Sequence, residues 1–527
     1  MKDQKLTRRQ LMASMAAAAI AVAIPGGAQA RDSSMDTVTT IDFTEAPANS
    51  IVAWPERVPV SDLGVAQQSN EKLAWLLDAK FGMFIHWGLY SGPGEGEWYQ
   101  HTAKMLPEDY RELAYPISGD QYFSADKYDP GHWAAVAKAA GMRWMCLTTR
   151  HHDGFSLFDN PHHNAFTSMQ THKKDFVAEY IQSVREHGLK VGLYFSPICW
   201  RYPGYYDVTG TDCKPNVFGY VTESTHKENA RVWKSENYAA VKKLMTSYGK
   251  IDHVFWDGGW LAEQGSDADG AYFHEPGEYL DPNNPWQISK EYLDYDESGR
   301  PLGIMGMVRK YQPDLLCNLR YGWIGDYINQ EGGPPTKGPF NTTQVSEKCL
   351  TMQKGPWGYS KDCDLHGAFL TRDDIIAYLA NCVVRNMFFL LNVGPDRHGQ
   401  IPPKEEAILR DTGAWLEKVG DAIYGTRCGP WQPVDGEYGF CRKNNKLFIH
   451  ILKNYNGQTF SVPPIGPLQP ARVYDVFSNR SLPFSLNSDR TITISGIDRT
   501  ANSVDTIVCV QFDKDVMSYA VQPKPLS

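Results

Sequence analysis

The chain holds 527 residues, with 52 Lys and Arg against 61 Asp and Glu, a formal net charge of −9. That length allows two or three domains and a large buried core, and 42% apolar with 21% charged residues lies outside the disordered range. The acidic balance argues against a nucleic-acid or anionic-membrane partner, because little here would displace phosphate counterions.

Residues 1–30 carry a basic head with Arg8 and Arg9, an apolar run from Leu11 to Ile24, and the small-residue site Ala28-Gln29-Ala30. This is the pattern of a cleaved signal peptide, too short to span a bilayer. The head resembles a twin-arginine signal. The expectation is an exported bacterial protein, periplasmic or secreted, whose mature chain begins with a polar lead-in over 31–69. Ten cysteines are present and none forms a CxxC pair, which weakens zinc-ribbon and thioredoxin readings. Cys146 and Cys509 sit in apolar runs and read as buried strand thiols. Cys213, in a polar loop, is the best placed for a partner.

From about 70 to 426 short apolar runs alternate with amphipathic stretches. Strands are predicted at 82–88, 143–149, 190–196, 253–259, 315–320 and 388–395. Helices are predicted at 131–141, 174–188 and 231–249, the first two closed by glycine. Repeated strand–helix units imply a parallel sheet, and polar residues just after the strands favour a closed (β/α)8-like barrel over an open doubly wound sheet. No GxGxxG or GxxxxGK[ST] motif is present to support a nucleotide-binding sheet. Residues 427–527 change texture: strand-like runs at 446–452, 472–477, 490–496 and 505–512 are separated by Pro, Gly and Asn. They predict an all-β sandwich that buttresses the barrel. Two long polar segments, 199–230 and 258–300, follow strands. The second holds Trp260, Tyr272, Tyr279 and Trp286, suited to a wall of a sugar site.

In a barrel, polar residues at strand C-termini are the catalytic candidates. Here they are His86; His151 and His152; Tyr194; Trp256 and Asp257; and Arg320, with Glu97, Trp98 and Glu331 close behind. A metal set of His86, His151, His152 and Asp257 is one reading. It is disfavoured because no HxH or HExxH spacing occurs and adjacent histidines are expected to diverge. Without a GxSxG elbow, Ser-His-Asp chemistry is also weak. Aromatic and imidazole rings beside carboxylates fit sugar recognition better. Glycoside cleavage needs two carboxyl groups, one as nucleophile or base and one to protonate the leaving oxygen. Asp257 ends the strand HVFW and is followed by two glycines, so it is held on a rigid element that a substrate can approach closely. Several glutamates after it could be the second, among them Glu331.

The stretches FGMFIHWG (81–88), EWY (97–99), HHDGF (151–155), GLYFS (192–196), FWDGGW (255–260), NLRYG (318–322), GDYINQE (325–331), WGYS (357–360) and FFLLNVGP (388–395) resemble, in order, glycoside hydrolase family 29, the retaining α-L-fucosidases. The resemblance spans about 70–425. It implies a (β/α)8-like barrel followed by a β-sandwich, with no metal or organic cofactor. The implied substrates are fucosylated oligosaccharides or glycoconjugates. Asp257 is then implied as the nucleophile of a covalent fucosyl-enzyme and Glu331 as the acid/base. His86, Glu97, Trp98, His151, His152, Tyr194 and Arg320 match fucose-contacting positions, and Trp256 is expected to line the site. SEKC (346–349) departs from the family's WExC, and His398 stands where an aspartate is usual. An inactive fucose-binding protein and a hydrolase of a related sugar such as an α-L-galactoside are the competing readings.

Overall fold

The computed structural model describes residues 71–202, 227–257, 291–299, 301–319, 325–341, 343–522 and 524–526. The signal-like segment, the lead-in, Cys213, Arg320 and the aromatic residues of 258–290 lie outside the described residues.

Eight parallel strands close into a barrel: β1 (Phe81–Ile85), β2 (Trp144–Arg150), β3 (Lys190–Phe195), β4 (His253–Trp256), β5 (Leu316–Leu319), β6 (Tyr327–Glu331), β7 (Ser346–Thr351) and β8 (Phe388–Val393). Each pairs with its neighbour in sequence, and β1 pairs with both β2 and β8, which seals the ring. Helices α1 (Pro130–Ala139), α2 (Phe176–Glu186), α3 (Lys227–Ser247), α4 (Ile304–Tyr311), α5 (Arg372–Val383) and α6 (Pro403–Val419) follow β1, β2, β3, β4, β7 and β8. Between β6 and β7 no helix intervenes among the described residues, so the barrel is (β/α)8-like rather than regular.

Local chemistry sets the helix limits. Asp129 and Asp175 accept the backbone N–H groups of His132 and Ala178, each at 2.9 Å, and thereby start α1 and α2. Gly141 and Gly188 follow the helix ends with positive φ, a conformation that stops a helix readily at glycine. These caps end both helices two residues short of the predicted spans, and start α1 one residue before and α2 two residues after the predicted starts.

Strand alternation sorts side chains between two cores. Phe84, Trp144, Tyr194, Phe255, Tyr327 and Phe388 fill the barrel interior, plugged from below by Leu73, Leu76 and Leu77. A Cβ at Gly82 would lie 2.2 Å from the Trp144 ring, so the indole occupies the space that glycine leaves. Met83, Ile85, Leu147, Leu193 and Val254 point outward into the helix layer. Strands β6 and β7 were not predicted, and the reason is visible. Their inward positions carry Asn329, Glu331 and Glu347, and the carboxylate of Glu347 is fully buried and accepts the Asn329 amide at 2.5 Å. A polar interior there leaves no apolar run to read.

The C-terminal region is all β and antiparallel. One sheet orders β9 (Arg427–Cys428), β10 (Tyr438–Lys443), β11 (Lys446–Leu452), β16 (Asp505–Phe512) and β13 (Pro470–Asp475). The other orders β12 (Phe460–Val462), β15 (Ile492–Ile494) and β14 (Phe484–Leu486). Phe440, Leu447, Ile449 and Val508 face Phe460 and Ile494 in a shared core. The opposite face, with Cys441, Phe448, Ile507 and Cys509, joins the core of the barrel's helix layer. The larger sheet is therefore buried on both sides and buttresses the barrel. No described helix is long and apolar enough to cross a membrane.

Candidate active site

At the C-terminal ends of β1, β2, β3, β4 and β8 a polar and aromatic cluster forms. Asp257 follows β4 directly, and its backbone N–H donates to Phe195 O at 3.1 Å, continuing the sheet. Tyr194, inward on β3, donates its hydroxyl to Asp257 Oδ2 at 2.7 Å. His152 Nε2 lies 3.7 Å from the same oxygen, and its Nδ1 meets Ser196 Oγ at 2.7 Å. The Asp257 side chain keeps 13% of its surface open to the cavity. It is the carboxylate with a fixed orientation and a path to solvent.

His86 packs beside this group, with ring centroids 5.5 Å from Tyr194 and 5.7 Å from His151. Its Nδ1 meets Asn392 Oδ1 at 2.7 Å. The Asn392 amide nitrogen is committed to Thr351 Oγ1 and to the Trp357 carbonyl. Asn392 Oδ1 must then accept, which assigns the proton of His86 to Nδ1 and leaves Nε2 as an acceptor toward the cavity. Burial drives the His86 pKa down to about 4, and burial with the neighbouring histidines holds His151 well below its ordinary range. Both rings are neutral hydrogen-bonding groups at neutral pH. Nδ1 of His151 is buried with no hydrogen-bond partner among the described residues.

Glu97 reaches in from the loop after β1. It is 4% exposed, and Oε2 accepts the backbone N–H groups of Trp357 and Gly358, each at 2.8 Å. Burial pushes its pKa up to about 7, against the lowering effect of those bonds, and the charge of Glu331 adds to the rise. Glu331, the last residue of β6, is exposed at the rim and close enough for its charge to act on Glu97. Trp98 is half-buried, edge-on to His152 at 5.5 Å and to Trp200 at 5.3 Å, forming one wall.

The structure thus gathers His86, Glu97, Trp98, His151, His152, Tyr194 and Asp257, with Glu331 at the edge. It does not bring Trp256 to them. Trp256 precedes Asp257 on the strand, so the period of two sends its ring outward, fully buried against Phe195 at 6.3 Å in the helix layer. The expected divergence of His151 and His152 also needs correction. Both sit in the turn beyond β2 rather than on the strand, and their rings lie 4.0 Å apart. His151, His152 and Asp257 each offer a donor atom, all within 4.8 Å of one another, a set that could hold a divalent ion. Trp357 belongs to the site although strand reasoning missed it: its ring stands 5.3 Å from His86, on the loop after β7. The WGYS stretch at 357–360 marks the family resemblance, but its place at a strand end is hidden because β7 has no apolar run.

The family model for alpha-L-fucosidase matches residues 63–421. An alpha-L-fucosidase of Branchiostoma floridae is 27% identical over 424 residues, covering 75% of this chain and 82% of that protein. The tissue alpha-L-fucosidase of Homo sapiens is 27% identical over 377 residues, covering 68% and 70%. Among solved structures, alpha-L-fucosidase isoenzyme 1 from Paenibacillus thiaminolyticus superposes with a TM-score of 0.64 at 25% identity, covering 84% of this chain and 99% of that one. A family 29 alpha-L-fucosidase from Bacteroides thetaiotaomicron, trapped as a covalent intermediate with 2-fluoro-fucosyl fluoride, shares the fold with a TM-score of 0.68 at 19% identity, covering 86% and 100%.

Proposed function

From the premise that this chain belongs to the alpha-L-fucosidase family, we propose that it removes terminal α-L-fucosyl groups from glycans by double displacement at Asp257. The carboxylate attacks C1 of the sugar, and the bond to the leaving oxygen breaks as Glu331 delivers a proton to it. Water, deprotonated by Glu331, then displaces Asp257 from C1 and releases fucose with the starting anomeric configuration. The observation that carries this is the oriented carboxylate of Asp257, held by the Tyr194 hydroxyl at 2.7 Å on a rigid strand end. A fixed nucleophile spends little reorganisation on the way to the transition state. Neutral His86 and His151 and the carboxylate of Glu97 are placed to bond sugar hydroxyls, while the half-buried ring of Trp357 beside His86 offers apolar surface. Arg320 completes this set in the proposal.

The test is turnover of a nitrophenyl α-L-fucoside with the anomer of the product followed by NMR. Asp257→Ala should remove activity, and the wild type should release the α-anomer first. Initial release of the β-anomer, or an unimpaired Asp257→Ala enzyme, would end the assignment. For the second carboxylate, Glu331→Ala should lose activity on glycans and keep part of it on activated aryl fucosides. We further propose export through the signal-like segment at 1–30. Replacement of Arg8 and Arg9 by lysines should then trap the enzyme in the cytoplasm, as read by cell fractionation.

A further inference from the structure

Glu331 stands at the point where β6 breaks into a turn. Gly332 and Gly333 follow with φ of 61° and 68°, a pair of left-handed residues whose backbone has many alternatives in a flexible chain. What fixes them comes from the neighbouring strand β7 and from helix α5. In the register of β6 with β7, Glu331 pairs with Cys349, which is inward, and Gln330 pairs with Lys348, which points toward the helix layer. Three bonds then seize the turn. The Gly332 N–H donates to Cys349 O at 2.9 Å, Lys348 Nζ donates to Gly332 O, and the Tyr378 hydroxyl of α5 donates to Gly333 O at 2.8 Å. Lys348 is 5% exposed. A lysine is seldom buried this far without a specific partner. Its nearest acidic neighbour along the strand, Glu347, points the other way, into the barrel. Tyr378 is itself set by stacking on Phe389, with ring centroids 5.7 Å apart.

We propose that Lys348 and Tyr378 are positioning residues for the acid/base carboxyl of Glu331, clamping the Gly332–Gly333 turn so that the proton is delivered at the leaving oxygen. This rests on the assignment of Glu331 given above. Neither side chain need touch the sugar. Each fixes a carbonyl one or two residues past Glu331, and an error of about 1 Å at a catalytic group is enough to lower a rate ~100-fold.

A proton donor matters most when the leaving group is a poor one. Lys348→Met keeps the length and apolar stem of the side chain and removes the amine. Tyr378→Phe removes a hydroxyl and keeps the ring. Both, with Glu331→Ala and the wild type, are compared on a nitrophenyl α-L-fucoside and on a fucosyl disaccharide, whose leaving group is a sugar alcohol, with thermal melts alongside. Lys348→Met should lose at least ~10-fold more kcat/KM on the disaccharide than on the aryl fucoside, the signature of impaired general-acid catalysis. Tyr378→Phe should lose in the same sense by a smaller factor. If Lys348→Met does not fold, Tyr378→Phe carries the comparison. Equal losses on the two substrates, with Glu331→Ala still strongly leaving-group dependent, would reduce Lys348 and Tyr378 to fold maintenance and overturn the inference alone. A Glu331→Ala enzyme whose losses do not depend on the leaving group would overturn the assignment of Glu331 and this inference with it.

Discussion

Glu97 offers a measurement of the site's electrostatics that needs no substrate. Its carboxyl moves from an ordinary 4.5 to about 7, chiefly because burial penalises the charged form. A folded-state pKa above the unfolded one means the unfolded chain releases its proton first. Stability from this group is therefore undiminished below about pH 4.5, falls as pH rises toward 7, and stays low above it. The interval corresponds to about 3 kcal/mol. Glu97→Gln removes the titration and retains an amide oxygen able to accept from the N–H groups of Trp357 and Gly358. Urea unfolding followed by tryptophan fluorescence, at pH 4.5 and pH 8, gives the stability of each form by linear extrapolation. Other titrating groups cancel in the difference between variant and wild type. That difference should shift in favour of Glu97→Gln by about 3 kcal/mol between the two pH values. A difference that does not change with pH would refute the account of Glu97 as a carboxyl strained by burial beside Glu331.

Tyr194→Phe removes the hydroxyl that holds Asp257; a hydrogen bond to a charged group is worth ~1.5–3 kcal/mol, so kcat/KM should fall roughly 10- to 150-fold, and a loss under two-fold on aryl fucosides would contradict the role given to that bond. In the C-terminal domain the fully buried pair His450 and Asp505, at 2.9 Å, raises the histidine pKa to about 10 despite burial. A base raised in the folded state adds stability that is complete below about pH 6.5 and lost as pH rises through about 10. His450→Gln should be destabilised by ~3–5 kcal/mol at pH 7, and its deficit against wild type in thermal melts should shrink toward pH 10; a constant deficit would contradict the ion pair. Dialysis against a chelator should leave fucosidase turnover unchanged, whereas a loss restored by a divalent ion would give the His151, His152 and Asp257 set a metal role.

Much of this protein is legible along the chain. Apolar runs of five or six residues ending in polar ones located six of the eight barrel strands, and Asp257 at the end of HVFW announced itself because a charged group directly after a buried strand has few structural uses. The order of motifs identified the family before any fold was in view. What the chain could not convey was direction and partnership. Trp256 and Asp257 are neighbours in sequence, and only the pleat of β4 puts one into the helix layer and the other into the cavity. Strands β6 and β7 hide because their inward faces are polar, and a buried Glu347 is satisfied by a partner 18 positions away. The proton on His86 Nδ1 is decided by Asn392, more than 300 residues on, and the Glu97 pKa by burial in the closed barrel, which outweighs the lowering pull of backbone groups at 357 and 358. Local pattern sets which segments form strands and helices, since period and capping are properties of adjacent residues. Charge, tautomer and orientation are set by whatever closure of the barrel brings alongside, and that depends on contacts made across the whole ring.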